Sequence, residues 1–273
     1  MPGRYPEVAY PKPPSCREIS RIVSRFSTNH EDVRRVLTAG LDLSRCTRVL
    51  DLGCGWGFGT EGLAKDLPEE AVVFGVDADA ENREPFLETL SRHGLKGEFV
   101  KMKVFMDLPW DDDSFDLVIA TYSLYFFASS IGHIARVLSP DGFLLATTHM
   151  KASAESLGRL LGDEGVAKGA EATIERFCGE NAYTKLKKSF EHIEILQYPN
   201  ELVFGPEDED DLVKYIAYRL ERVPSSTSDL WPLGRIRRVV REAFRRHGAV
   251  RLNKDDICIR AGGPRVPENG IPW

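Results

Sequence analysis

Four alternating glycines directly after a short apolar run constrain the fold of this chain more than any other feature. The run V-L-D-L ends in a turn that carries Gly53, Gly55, Gly57 and Gly59, and the stretch 58–67 beyond it is predicted to be helical. Glycine lets the backbone turn sharply and approach a ligand closely, because no Cβ is in the way. The segment therefore predicts a strand, a ligand-binding turn and a helix in immediate succession.

Short β-rich runs alternate with predicted helices through the first half of the chain. The runs are almost continuously apolar, which is typical of parallel strands covered on both faces. This alternation predicts an α/β fold with a doubly wound, mostly parallel seven-stranded sheet of the Rossmann-like kind. The first five runs are RVLDLG (48–53), AVVFGVDA (71–78), EFVKMKV (98–104), FDLVIATY (115–122) and GFLLATTH (142–149), with helices near 58–67, 80–92 and 127–138.

The second half of the chain breaks this rhythm. We interpret residues 205–248 as a helical insertion between the last two strands of the sheet, because they contain two apolar-periodic stretches joined by a turn-rich segment. The whole chain, 1–273, is predicted to be a single domain. The remaining predicted elements are helices near 153–166 and 170–189 and strands at 192–199 and 249–261.

Composition and charge limit the classes of protein to be considered. A formal net charge of −6 argues against nucleic acid as a partner. No apolar run approaches the ~20 residues that a membrane-spanning helix needs, and the N-terminus lacks the apolar core of a signal peptide. Five scattered cysteines without a C-x-x-C pair favour reduced thiols over disulfides or a zinc site. We therefore expect a cytoplasmic protein without a metal; its oligomeric state is left open.

The second predicted strand ends at an acidic residue that fits an adenosine ligand. Asp77 lies twenty residues beyond Gly57, and a carboxylate at this place can accept hydrogen bonds from two ribose hydroxyls. The glycine pattern does not fit a nicotinamide or flavin site. The G-x-G-x-x-G pattern would need a third glycine at Phe58 or Thr60.

Four segments in order resemble the motifs of class I S-adenosylmethionine-dependent methyltransferases. D-L-G-C-G-W-G resembles their first motif and G-V-D-A-D their second. D-L-P-W-D-D-D-S-F-D-L-V-I-A resembles the segment that leads into the fourth strand, and V-L-S-P-D-G-F-L-L-A the turn into the fifth. The resemblance covers residues 48–148 well and the C-terminal 120 residues only loosely. It implies that 48–148 form the cofactor-binding core.

The resemblance implies S-adenosylmethionine as the cofactor and assigns a role to individual positions. The methionine end lies against the glycine turn, Asp77 binds the ribose and Ala78 lies against the adenine. One position departs from the family: Val104 stands where many relatives bind the adenine amine with an acid, so that Asp107 or backbone alone takes over this contact. The implied cofactor residues are Asp51, Gly53, Cys54, Gly55, Gly57, Asp77, Ala78, Phe105, Met106 and Thr121.

The methyl acceptor is predicted to be a small molecule. The fourth strand continues as A-T-Y-S-L-Y and lacks the N/D-P-P-Y/F motif of enzymes that methylate amines on nucleic-acid bases. Tyr122, Tyr125 and His149 are candidates for a general base or an orienting group, with packing as the alternative for each. Two other functions stay open. The arginine-rich stretch 235–251 would suit a tRNA or rRNA methyltransferase, and a non-catalytic subunit with this fold would bind the cofactor or a partner without turnover.

Residues 205–248 are predicted to cap the acceptor pocket. A ligand of an open α/β sheet lies outside the carboxyl ends of its strands, and methyl transfer needs a cover that excludes water. The alternative for each side chain is packing of the insertion itself. The side chains expected to face the acceptor are Tyr215, Tyr218, Arg219 and Trp231.

Overall fold

The computed structural model describes residues 13–104, 107–221 and 230–265, which fall into two compact units. We name them the core unit and the insert unit. The core unit comprises residues 31–149, 176–198 and 256 onwards, and the insert unit comprises residues up to 30, 150–175 and 199–255. Each unit is therefore built from three separate stretches of chain. The prediction of a single domain with a cap stays a prediction.

The helices and strands of the core unit follow the predicted alternation. Its strands are β1 (Arg48–Leu52), β2 (Val72–Asp77), β3 (Lys96–Lys101), β4 (Phe115–Thr121), β5 (Leu138–His149), β6 (Phe190–Tyr198) and β9 (Asp256–Pro264). Its helices are α2 (Val33–Thr38), α3 (Phe58–Leu63), α4 (Arg83–Arg92), α5 (Ile131–Val137) and α8 (Ala182–Leu186).

The seven strands of the core unit form one mostly parallel sheet. The strand order is β3-β2-β1-β4-β5-β9-β6. Strands β1 to β5 pair in parallel, and β9 runs antiparallel between β5 and β6. The central strands β1 and β4 are buried along almost their whole length, as parallel strands covered on both faces should be. The predicted doubly wound α/β fold is thus confirmed.

The insert unit contains the helices predicted between the last two strands of the sheet. It comprises α1 (Pro13–Phe26), α6 (Ala152–Leu161), α7 (Glu164–Ile174), β7 (Glu201–Phe204), α9 (Glu209–Leu220), α10 (Leu233–His247) and β8 (Val250–Asn253). Strands β7 and β8 form a two-stranded antiparallel sheet. Apolar side chains of α1, α6, α9, α10 and both strands share one buried cluster, so the insertion has its own hydrophobic core.

The single strand predicted at 249–261 is wrong, because the chain turns between β8 and β9. The Asn253 amide donates to the carboxylate of Asp255 over 2.7 Å, and the backbone N–H of Asp255 donates back to the Asn253 side chain over 3.1 Å. Asn and Asp side chains commonly stabilise turns in this way. The turn separates β8, which pairs within the insert unit, from β9, which pairs within the core unit.

The two helices predicted over 153–189 are also wrong in their bounds. α6 ends at Gly162, which has a φ of +63°, and Asp163 then caps α7 by accepting hydrogen bonds from the N–H groups of Gly165 and Val166. Glycine after a helix and aspartate before the next one are common end and start signals. The chain therefore forms α6 and α7, with the separate short α8 after them in the core unit.

The helices of the described residues carry no membrane-spanning segment. Within 13–104, 107–221 and 230–265, none has both the length and the apolar character that crossing a bilayer requires. The same part of the chain contains no group of three His, Cys, Asp or Glu side chains that is placed to hold a metal ion.

Candidate functional site

Backbone hydrogen bonds to the neighbouring strand hold the glycine turn after β1. The N–H groups of Gly53 and Cys54 both donate to the carbonyl of Val76 on β2, over 2.8 and 3.0 Å. The φ angles are +69° at Gly53, +52° at Gly55 and +89° at Gly57. Residues with a Cβ are strained at such angles, which explains why these three positions are glycine.

Two of these glycines differ in their surroundings. A Cβ on Gly53 would lie 2.5 Å from the Cβ of Ser123, whose hydroxyl donates to the carbonyl of Leu52 over 2.6 Å. A Cβ on Gly55 would meet no described atom within 4 Å. Gly53 is therefore required by packing against the residues that follow β4. Gly55 instead leaves open space above the backbone, where a bound molecule can approach the turn.

Asp77, the last residue of β2, fastens the glycine turn through its carboxylate. One oxygen accepts a hydrogen bond from the backbone N–H of Gly55 and the other from that of Asp79, both over 2.9 Å. Burial raises the pKa of Asp77, while these two hydrogen bonds and a third from the Asn82 side chain act in the opposite direction. An ionised carboxylate offers about four acceptor positions. With three of them used, Asp77 keeps acceptor capacity for a further hydrogen bond from a ligand.

Asp51 on β1 is a fully buried carboxylate that is only half satisfied. Its Oδ2 accepts a hydrogen bond from the hydroxyl of Thr60 over 2.7 Å, and its Oδ1 has no partner among the described residues. Burial raises the pKa of Asp51 to about 6, against the lowering effect of the Thr60 hydrogen bond. A buried acceptor without a donor costs free energy. The position suits a ligand that brings a donor, above all a cationic one.

Side chains at the ends of β4 and β5 form a hydrogen-bonded cluster with the start of β9. The carboxylate of Asp256 accepts a hydrogen bond from the Tyr122 hydroxyl and lies 2.7 Å from Nδ1 of His149. The rings of Tyr122 and His149 stack with centroids 4.9 Å apart, and the Tyr125 ring lies 6.1 Å from His149. The three candidate general bases thus lie together, around an aspartate that the sequence analysis did not identify.

Comparison with known proteins assigns this arrangement to a family. The profile of the family described as "Methyltransferase domain" matches residues 49–142, from β1 through the glycine turn into β5. The core unit carries a class I, Rossmann-like methyltransferase domain. The resemblance of the four sequence motifs is confirmed, since they lie within or next to this match.

Two curated relatives of this methyltransferase domain also carry that name. The chain is 30% identical over 138 residues to "Uncharacterized methyltransferase YcgJ" of Bacillus subtilis, a match of 45% of this chain and 53% of that protein. It is 33% identical over 141 residues to "Demethylmenaquinone methyltransferase" of Lactiplantibacillus plantarum, covering 48% of this chain and 56% of the relative. The chain thus spans about half the length of the curated relatives that it matches.

A solved structure shares the fold at low sequence identity. The (4+2)-cyclase SpnF superposes with a TM-score of 0.51 and 19% identity, and the match covers 86% of this chain and 80% of SpnF. At this identity the likeness concerns the fold alone. The same fold supports different reactions, so the reaction has to be inferred from the site.

The residues of the methyltransferase domain fit S-adenosylmethionine at three points. The unpartnered Oδ1 of Asp51 suits the ammonium group of the methionine end. The space above Gly55 suits the close approach of the ligand to the turn. The remaining acceptor capacity of Asp77 suits a ribose hydroxyl. These three features come from different strands and turns, yet all lie at or near the carboxyl ends of β1 and β2.

Other predicted cofactor residues lie around the same turn. Cys54 is buried. Thr121, the last residue of β4, packs closely against Gly59: a Cβ added to Gly59 would lie 3.0 Å from the Thr121 hydroxyl. Ala78 directly follows β2 and is partly exposed. Their contacts with the cofactor stay predictions.

The predicted adenine end is only partly described. Phe105 and Met106 lie outside the described residues. The side chain of Asp107 is 83% exposed and its carboxylate lies 3.4 Å from His133 and 3.6 Å from Arg136. Val104 is partly exposed. Which of these positions borders the adenine stays a prediction.

The four predicted acceptor-binding side chains all belong to the insert unit. Arg219 donates hydrogen bonds to the Tyr215 hydroxyl over 2.8 Å and to the Ser153 hydroxyl over 3.2 Å. The indole N–H of Trp231 donates to the carboxylate of Asp163 over 3.0 Å. Tyr218 packs against the hydrophobic cluster of the unit. These contacts explain the four residues as parts of the insert unit, and their contact with an acceptor stays a prediction.

Sequence reasoning missed three residues that shape the methyltransferase site. Thr60 holds Asp51, Ser123 fixes the end of β1, and Asp256 joins Tyr122 to His149. Asp256 carried a signal that could have been read, because the Asn-Lys-Asp-Asp run interrupts the apolar alternation before β9.

The buried charge of Asp51 predicts a trade between stability and cofactor binding. Asp51→Asn should raise the free energy of unfolding of the ligand-free protein at pH 7.5 by about 1–3 kcal/mol, since one pKa unit corresponds to ~1.4 kcal/mol. The folded protein holds a proton on Asp51 up to pH about 6, above the ordinary value of 3.8. The contribution of Asp51 to wild-type stability should therefore rise as the pH falls from 7 to 4, and the advantage of the variant should shrink over the same range.

Urea unfolding at pH 7.5, 6 and 4.5 measures this effect. Asp141→Asn, at an exposed position in β5, serves as the control and should show no such pH-dependent gain. A destabilised Asp51→Asn protein at pH 7.5 would show that the buried carboxylate is compensated within the ligand-free fold.

Proposed function

We propose that this protein transfers the methyl group of S-adenosylmethionine to a small-molecule acceptor. The observation that carries the proposal is the buried Asp51 oxygen without a partner among the described residues, at a glycine turn whose Gly55 leaves room for a ligand. A turn without a ligand would not need an unpartnered buried carboxylate beside it. Asp77 supports the same ligand, since its carboxylate keeps acceptor capacity at the end of the adjacent strand.

The chemistry of the site follows from what its residues hold and exclude. S-adenosylmethionine, when bound, supplies a methyl group on a sulfonium, which a nucleophile can displace. Asp51 would hold the ammonium group and Asp77 the ribose, so that the chain contributes position and charge. Trp56 in the glycine turn and Tyr125 after β4 are buried, and their rings would help to exclude water from the site.

The sequence after β4 supports a small acceptor over a nucleic-acid base. Residues 120–125 read A-T-Y-S-L-Y, and Tyr122 and Tyr125 are engaged with His149 rather than presented in an N/D-P-P-Y/F motif. The name of the Lactiplantibacillus plantarum relative gives demethylmenaquinone, a small molecule, as its acceptor. Both observations favour the same class of acceptor for this chain.

The arginine-rich helix α10 gives little support to an RNA acceptor. Arg237 lies 2.9 Å from Glu209 and 2.7 Å from Asp210, and Arg241 lies 2.9 Å from Glu209. The acidic residues at the start of α9 thus form ion pairs with these arginines inside the insert unit. Charges that are already paired contribute less to phosphate binding.

An acceptor screen tests the proposed reaction directly. The purified protein is incubated with methyl-labelled S-adenosylmethionine and pools of phenols, alcohols, amines, thiols and total tRNA. We expect S-adenosylhomocysteine and one labelled small-molecule product. Labelled tRNA in place of such a product would favour the RNA alternative. Cofactor binding without any turnover, including in a lysate of small metabolites, would favour a non-catalytic subunit.

Removing the Asp77 carboxylate should weaken cofactor binding. Asp77→Ala is expected to raise the Kd for S-adenosylhomocysteine about ten- to a hundredfold, because a hydrogen bond to a charged acceptor contributes roughly 1.5–3 kcal/mol. Isothermal titration calorimetry gives this constant.

Asp116→Ala is the matched control for Asp77→Ala. The Asp116 carboxylate also accepts two backbone hydrogen bonds, from Thr47 and Arg48, both over 2.9 Å, but at the opposite end of β1 and β4. It should lose stability without a comparable loss of affinity. Equal affinities for wild type and Asp77→Ala would remove Asp77 from the site.

Filling the space above Gly55 should abolish cofactor binding. In Gly55→Val the branched side chain would occupy the volume that no described atom reaches within 4 Å. Gly94→Val is the control, because Gly94 has a φ of +68° and equally open surroundings in the loop after α4. Both variants should be strained, and only Gly55→Val should lose S-adenosylhomocysteine binding. Retained binding by a folded Gly55→Val protein would contradict the assignment of the turn.

A further inference from the structure

A buried carboxylate joins the two strand ends next to the proposed cofactor site. Asp256, at the start of β9, is 1% exposed, whereas the His149 side chain is 16% exposed. Asp256 lies opposite His149 in the pairing of β9 with β5, and its other oxygen accepts from Tyr122 after β4. The sheet therefore pairs a buried aspartate with a histidine whose side chain is partly exposed.

The hydrogen bond to Asp256 fixes which nitrogen of His149 is basic. An ionised carboxylate can only accept hydrogen bonds, so Nδ1 of His149, at 2.7 Å from Asp256, carries a proton. The neutral imidazole then has Nε2 as its basic nitrogen. A carboxylate that orients a histidine in this tautomer also stabilises the imidazolium formed when Nε2 takes up a proton.

The other titratable groups affected by the charge of Asp256 are poor bases. Burial, with the charge of Asp256, raises the pKa of Tyr122 well above its usual value of 10.0. The same two causes raise the pKa of Tyr198 and that of Cys258 to about 12 each. These hydroxyl and thiol groups stay neutral near pH 7. The imidazole of His149 is therefore the candidate base of the cluster.

The backbone at Tyr122 is strained in a way that serves this arrangement. Tyr122 has a φ of +54°, which few residues with a side chain adopt. Such strain is retained where surrounding contacts over-determine it, often at functional sites. Here the hydrogen bond to Asp256 and the stacking on His149 hold the ring. The ring also lies 6.1 Å from that of Phe58, at the start of α3, and so links the cluster to the end of the glycine turn.

Sheet geometry places His149 at a suitable reach from the cofactor turn. β1, β4 and β5 are neighbours, and adjacent strands lie about 4.8 Å apart. β1 and β5 are therefore about 10 Å apart across the sheet, with β4 between them, and the register places His149 three residues beyond the level of Leu52. An acceptor lying over the end of β4 would lie between the cofactor turn after β1 and His149 at the end of β5.

We propose that His149 is the general base of the reaction, that Asp256 and Tyr122 position it, and that the acceptor carries the methyl group on a hydroxyl oxygen. This inference rests on the proposed methyltransferase function. A hydroxyl needs a base because its oxygen must lose a proton as it attacks, whereas a neutral amine attacks with its own lone pair.

The proposed step balances without a further reactant. The acceptor O–H bond breaks and Nε2 of His149 takes the proton. The acceptor oxygen bonds to the methyl carbon as the methyl–sulfur bond breaks, and that electron pair stays on sulfur. The imidazolium, stabilised by Asp256, then releases its proton to solvent.

The tautomer of His149 can be measured without an acceptor. In a long-range ¹⁵N–¹H NMR spectrum at pH 8, assigned with His149→Gln, we expect a proton on Nδ1 and none on Nε2. Asp256→Asn should lower the pKa of His149, because it removes the negative charge that favours the imidazolium. A proton on Nε2 in the wild-type protein, or an unchanged pKa in Asp256→Asn, would overturn the proposed arrangement.

Turnover separates the role of His149 from the proposed function. With methyl-labelled S-adenosylmethionine and a panel of phenols and alcohols, His149→Gln should lower kcat by 10²–10⁴-fold at pH 7. The loss should shrink above the acceptor pKa, where the hydroxyl ionises by itself. The Kd for S-adenosylhomocysteine should stay within about threefold. Tyr122→Phe and Asp256→Asn should give smaller losses, and in Asp256→Asn the acidic limb of the pH–rate profile should move to lower pH. His192→Gln, at an exposed position in β6, is the control and should match wild type.

Each contrary result has a distinct meaning. Turnover of His149→Gln within threefold of wild type at pH 7, or methylation of amines alone, would overturn the inference while leaving the methyltransferase function intact. A parallel loss of cofactor affinity in His149→Gln would place this residue in the cofactor site and overturn its role as a base. A wild-type protein that binds no S-adenosylhomocysteine would refute the proposed function itself, and the base would then have no reaction to serve.

Discussion

The geometry of the cofactor turn depends on one carboxylate, that of Asp77. By accepting hydrogen bonds from Gly55 and Asp79, it joins the turn after β1 to the turn after β2. Without Asp77, the N–H groups of Gly55 and Asp79 would lack this shared acceptor. Because the carboxylate itself is buried, its free energy is lowest when every acceptor position is used. The protein without a ligand therefore has the shape of the site but not its full set of hydrogen bonds.

Asp51 shows the same incompleteness more strongly. Its pKa of about 6 means that burial outweighs the hydrogen bonds from the side chain and backbone of Thr60. A carboxylate selected for stability alone would have a second donor or a more exposed position. Natural sites commonly give up stability in this way, because groups that are arranged in advance for a ligand are unsatisfied in its absence. Because both aspartates have acceptor oxygens to satisfy, the site of the core unit favours ligands that bring hydrogen-bond donors or positive charge.

The sequence was sufficient for the parts of this protein that depend on local patterns. The glycines after β1 and the carboxylate of Asp77 were identified because their spacing reflects backbone geometry, and the apolar runs predicted the strands because parallel strands are buried on both faces. Asp256 was missed because its role depends on pairing across the sheet, between residues that are more than a hundred positions apart along the chain. Periodicity cannot reveal such a contact. The turn at Asn253 was missed for a related reason, since β8 and β9 belong to different sheets.

The place of β9 in the sheet has a consequence for how the chain reaches its fold. β9 lies between β5 and β6, although residues 199–255 separate it from β6 in the sequence. Until β9 leaves the ribosome, β5 and β6 have no partner on their facing edges, and exposed edges of this kind pair readily with other chains. Closing the sheet also requires a contact of long sequence separation, which slows folding. During synthesis, the edges of β5 and β6 are thus the place where a chaperone is most needed.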